Sequence, residues 1–152
     1  MIPDLDDGVL PEGIHICTVE EIVKVFGTFR KTESRPRLTE RLRAYIEEAR
    51  AASVVKAIII DGSYVTAKDE PNDIDILLVL RRELDLTQEL RPAEYNVQSK
   101  RMVKRQYGFD VLTAIEDSET YQNLVHFFAR VNPLEKECYT KKGAKGVLRI
   151  EL

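Results

Sequence analysis

The sequence predicts a mixed α/β fold of the α+β kind, a small mixed β-sheet with helices packed against it. Three observations carry that expectation. Two apolar runs rich in β-branched residues, VVKAIIID and DIDILLVL, lie close together in mid-chain, the length and composition of buried strands. The segments around them space apolar residues by three and four, the mark of helices with one buried stripe. At 152 residues the chain is long enough for one domain with a real core, and no repeat, low-complexity tract or linker divides it. A single domain over residues 1–152 is therefore expected.

Taken in order, residues 1–17 read as an extended arm, punctuated by Pro3, Gly8, Pro11 and Gly13. Its aspartates Asp4, Asp6 and Asp7 lack the later ligands of a calcium loop and are expected in solvent. Thr18 stands three residues before Glu21, a capping box, so a short helix should follow with Ile22, Val23 and Phe26 on one face and Gly27 near its end. FRKTESRPR reads as a loop. From Leu38 to Ala52, the stripe Leu38, Leu42, Tyr45, Ile46 and Ala49 predicts a second helix with a charged outer face. VVKAIIID is a strand, GSYVTAKDEPND a turn-rich connection, and DIDILLVL a second strand. A weakly patterned helix is expected over about Pro92 to Gln106, then a strand at GFDVLTAI. Ser118 should cap a helix carrying Tyr121, Leu124, Val125 and Phe128, and VLRIEL should close the sheet.

The second strand holds the chemistry. Side chains alternate along a strand, so Asp73 and Asp75 share a face with Leu77 and Val79, while Ile74, Ile76 and Leu78 take the other. Two carboxylates beside an apolar core repel each other and lose hydration, a cost of several kcal/mol, roughly. A divalent cation offsets that cost directly, although EPND is also ordinary turn chemistry for Asp73. The third strand adds Asp110, on the face opposite Phe109, Val111 and Thr113. The long connection between Leu80 and Gly108 allows a helical crossover between parallel neighbours, which would gather the three acids at one end of the sheet. Gly62-Ser63, at the end of the first strand, would let backbone amides and a hydroxyl approach a phosphate.

Gly62-Ser63, then Asp73-Ile74-Asp75, then Asp110 in a later strand resembles the nucleotidyltransferase superfamily that includes DNA polymerase β, and above all its minimal members. The likeness covers roughly residues 38–115. The arm PDLDDGVLPEGIH and the closing KGAKGVLRIEL are similar to a poorly characterised bacterial branch. The resemblance implies the nucleotidyltransferase fold. It also implies metal binding by Asp73 and Asp75, base and metal roles for Asp110, and phosphate contact by Gly62 and Ser63. Two Mg²⁺ ions would act with a bound NTP, ATP being the expected donor, and a hydroxyl acceptor would receive the nucleoside monophosphate. Antitoxin-type members carry an arginine where this chain has Thr66, and Lys68 is the residue expected to supply that charge. The acceptor, on this reading, is a protein, a small molecule or an RNA end. The alternative is an antitoxin-like or regulatory binding protein that keeps the fold and acts by contact with a partner such as a toxin; a nucleotide sensor without turnover is a third reading.

Composition sets the outer limits. A net charge of −3 argues against strong non-specific attraction to nucleic acid, and no apolar run is long enough to span a bilayer. The acidic N-terminus is unlike a secretory signal, so the cytoplasm is the expected location. Cys17 and Cys138 are expected as free thiols, and His15 and His126 share no zinc-like spacing. Lys100, Arg101, Lys104 and Arg105 read as a solvated helix face, with a triphosphate or acidic partner as the other possibility. Tyr64, Tyr107 and Tyr121 are expected to pack and not to stack on a base, and His126 to meet water.

Overall fold

The computed structural model describes residues 1–28, 32–83, 87, 89–131, 133 and 140–152. Its centre is one five-stranded sheet: β1 (Ile14–Ile16), β2 (Val55–Asp61), β3 (Asp75–Leu80), β4 (Asp110–Ile115) and β5 (Val147–Glu151). The spatial order is β1-β5-β2-β3-β4. β3 and β4 are parallel, as are β1 and β5, and β2 runs antiparallel to both β3 and β5. The sheet is therefore mixed, as expected. Helices cover both faces, α1 (Val19–Phe26), α2 (Ser34–Ala51), α3 (Pro92–Gln98) and α4 (Lys100–Tyr107) on one side and α5 (Glu119–Phe128) on the other.

The alternation of β2 and β3 decides this layering. Ile58, Ile60, Ile76 and Leu78 point into the larger core with Phe26, Leu42, Tyr45 and Ile46. Ala57, Ile59, Leu77 and Val79 point the other way, against Tyr121 and Phe128 of α5. Each isoleucine, leucine, valine and phenylalanine among them contributes about 1.5–3 kcal/mol on burial. Strands covered on both faces need near-continuous apolar sequence, which is what these two runs supply.

The structure moves several expected boundaries. α2 begins at Ser34, inside the stretch read as a loop, with Pro36 in the first turn where its missing N–H has no helical acceptor to lose. The helix expected over Pro92–Gln106 is two: Ser99 leaves helical geometry (ψ 119°), and its hydroxyl accepts from the Met102 amide to start α4 afresh. β3 starts at Asp75, so Asp73 lies in the approach to the strand. The arm is not free in solvent. Val9 and Leu10 are buried, and β1 pairs with β5. Asp7 accepts from the Lys141 amide at 2.8 Å, and Asp6 pairs with Lys142, fastening the arm to the C-terminal segment. Cys17 is a free, buried thiol; Cys138 lies outside the described residues.

Candidate functional site

The acids meet because of register. Asp61 of β2 lies opposite Asp75 of β3, and Asp75 lies opposite Asp110 of β4. Neighbouring strands are about 4.8 Å apart, so three carboxylates form a row of roughly 10 Å across the sheet end, on the α5 face. Asp73 joins them from the approach to β3. Its Oδ1 accepts from the Ser63 hydroxyl at 2.6 Å and from the Ser63 amide at 3.3 Å. The Asn72 amide in turn donates to Ser63 Oγ, so the Gly-Ser bend and the acid pair are bound into one unit.

Gly62 makes the bend possible. Its φ of +94° is a region side chains avoid, and a Cβ there would sit 3.0 Å from the Asp73 carbonyl oxygen and 3.1 Å from the Asp75 nitrogen. From below, Arg35 supports the loop. It is fully buried in α2 and donates to the carbonyls of Phe26, Tyr64, Thr66 and Lys68, at 2.6–3.2 Å. Tyr64 packs beside Phe26, its hydroxyl 2.6 Å from Thr39 Oγ1, so it belongs to the core.

All of this opens onto a cavity of about 800 Å³, lined among others by Asp61, Gly62, Ser63, Asp73, Asp75 and Asp110. The five expected site residues Gly62, Ser63, Asp73, Asp75 and Asp110 are thus brought together. Lys68 is not among the lining residues; among the described residues the lining cations are Lys100, Arg130 and Lys145. Lys145 reaches the row directly, its Nζ 2.7 Å from Asp61 Oδ1, with both side chains less than a tenth exposed. The contact pairs a buried ammonium with a buried carboxylate at hydrogen-bond distance.

The electrostatics follow. Loss of water pushes the Asp75 carboxyl up to about 6, and Asp73, Asp61 and Asp110 add to the rise. Burial also drives Asp61 upward, with Lys145 the main opposing influence. Asp110, the exposed end of the row, is 3.3 Å from Lys104. Lys100, Arg101, Lys104 and Arg105 are all exposed, the solvated face expected, with Lys100 at the cavity and Lys104 beside Asp110. Tyr107 bonds to Glu48 and Tyr121 accepts from Arg149, so these rings pack as expected, and His126 is exposed.

Asp61 and Lys145 were missed from the sequence. Asp61 looked like the end of a strand, yet it extends the period-two series Ala57, Ile59, and that series was the available signal. Lys145 carries none, because only the tertiary fold brings it to β2.

Among the described lining residues the donor set is oxygen-rich, without sulfur or imidazole, which suits a hard divalent cation such as Mg²⁺. Among the described residues, no three His, Cys, Asp or Glu side chains are grouped so as to grip an ion unaided. The reason is visible in the contacts: Asp61, Asp73 and Asp110 are turned toward Lys145, Ser63 and Lys104.

Fold and site together define a mixed α/β protein with an acidic row at one end of its sheet. The chain belongs to the family of unknown function DUF6932, whose model matches residues 3–151. No curated protein and no solved structure matches it. Among the described residues, no helix is long and apolar enough to cross a membrane.

Proposed function

We propose that the protein is a cytoplasmic, Mg²⁺-dependent nucleotidyltransferase that moves a nucleoside monophosphate from an NTP, with ATP the favoured donor, to a hydroxyl acceptor. The observation that carries this reading is the in-register row Asp61–Asp75–Asp110, with Asp73 held by Ser63 beside it, at the mouth of a cavity large enough for a nucleotide.

Asp73, Asp75 and Asp110 would hold the metal, which supplies positive charge to the triphosphate and to the attacking oxygen. Ser63 fixes the rotamer of Asp73, and Gly62 lets the bend close against the backbone of Asp73 and Asp75, which sets Ser63 and the acid pair side by side. Asp110, the most exposed of the row, is placed to accept the proton of an incoming hydroxyl. Its attack at the α-phosphorus forms the new ester bond, and pyrophosphate leaves with the electron pair of the broken P–O bond. Lys100 and Arg130, on the cavity wall, suit the departing phosphates.

The test is incubation with α-phosphate-labelled ATP, Mg²⁺ and a cell lysate. Label should move to an acceptor with the intact protein and should fail to move with Asp73→Ala/Asp75→Ala. Absence of transfer by folded protein across several NTPs would overturn the reading. One observation favours the contact protein instead: three of the four acids already have protein partners. That reading expects the double variant to retain a protein partner, captured at wild-type affinity.

A further inference from the structure

Lys145 is delivered to the acidic row by a rigid segment. Its amide donates to the Ala129 carbonyl at 2.8 Å, the next amide to Leu10 at 2.9 Å, and that of Val147 to Gly13 at 3.0 Å. Gly146 packs so tightly on the arm that a Cβ would lie 2.0 Å from the Pro11 oxygen. The end of α5 and the N-terminal arm therefore hold the backbone that projects this ammonium onto Asp61. A buried ion pair is a weak stability device, because desolvation of two charges cancels most of their attraction. Within a row of like charges, however, it has a definite electrostatic effect. It neutralises Asp61 and places a fixed positive charge close to Asp75.

We infer that Lys145 is the resident cation of the acidic row, a positioning residue that withdraws Asp61 from metal binding and makes the site take its divalent ion together with a triphosphate instead of alone. The inference rests on the metal-site reading above and adds a regulator to it. A divalent ion approaching without nucleotide meets the Lys145 charge at short range. A nucleotide brings its own negative charge and offsets that repulsion, so metal and nucleotide bind as a pair.

Calorimetric titration with Mn²⁺ alone tests this without any activity measurement, circular dichroism confirming that each variant is folded. Lys145→Gln should bind Mn²⁺ about tenfold or more tightly than wild type, a gain of affinity that mere structural damage does not produce. The difference should shrink when a non-hydrolysable ATP analogue is present. Unchanged or weaker Mn²⁺ binding by Lys145→Gln overturns the inference. If wild type still takes Mn²⁺ with the analogue in that case, the metal-site reading survives. If neither protein takes Mn²⁺ under either condition, both fall. Should Lys145→Gln not fold, Asp61→Asn and Asp61→Asn/Lys145→Gln make the same comparison with no unpaired buried carboxylate. The single variant should then bind Mn²⁺ more weakly than the double, and equal affinities overturn the inference.

Discussion

Asp75 titrates above the ordinary carboxylate range. Its folded-state pKa, about 6, lies above the ordinary carboxylate value of 3.8. Between those values the folded chain binds more protons than the unfolded one, so stability falls as pH rises through that window and stays reduced above it. Asp75→Asn removes the penalty. Thermal melts near pH 7 should show the variant more stable than wild type, and the gap should close near pH 4. A gap that persists at low pH would mean the carboxylate is not the source. Gly62 has the opposite sensitivity. Gly62→Ala forces a Cβ into the positive-φ bend against the backbone of Asp73 and Asp75, a cost of about 1–3 kcal/mol, readable as a lower denaturation midpoint. Cys17 is buried and its thiol is pushed up to about 12, mainly by loss of water. In a Cys138→Ser background, thiol reagents near pH 8 should therefore label the protein only as fast as it unfolds.

At the scale of elements, one helix end holds the loop after Ser63 in shape. Arg35 joins the first turn of α2 to the end of α1 and to the loop that follows Ser63, through four carbonyls. Lysine keeps the charge but lacks the planar fork that serves several acceptors at once. Arg35→Lys should leave buried carbonyls unsatisfied and cost about 2–4 kcal/mol in urea unfolding. On the proposed nucleotidyltransferase reading it should also weaken nucleotide binding, since Ser63 and Asp73 lose their support. An unchanged midpoint would show that the carbonyls find water instead.

Across the whole molecule, the arm and the C-terminal segment act as one support. Val9 and Leu10 are buried, and Leu10 and Gly13 accept the amides that follow Lys145. Deleting residues 1–10 should therefore lower the thermal midpoint and release Lys145 from the row; a truncated protein with wild-type stability and Mn²⁺ affinity would contradict this. Legibility followed the range of the interactions. The strands at VVKAIIID and DIDILLVL, the stripe of α2 and the caps at Thr18 and Ser118 are local patterns, and all were readable. The convergence of Asp73, Asp75 and Asp110 was also readable, because a parallel crossover fixes which strand ends adjoin. The break at Ser99 was obscured by continuous polar sequence. The burial of Arg35, the fastening of the arm and the arrival of Lys145 depend on contacts between distant segments, and no spacing in the sequence encodes them.

The strand order has a consequence for biosynthesis. β5, late in the chain, sits between β1 and β2. A nascent chain that has already made β2, β3 and β4 still exposes one hydrogen-bonding edge of β2, and β1 has nothing to pair with. During that interval Asp61 has no ammonium beside it, and the acidic row carries its full repulsion. The sheet and its charge balance are completed by the same pairing, so a chain that has not yet placed β5 lacks both the strand between β1 and β2 and the ammonium that balances Asp61.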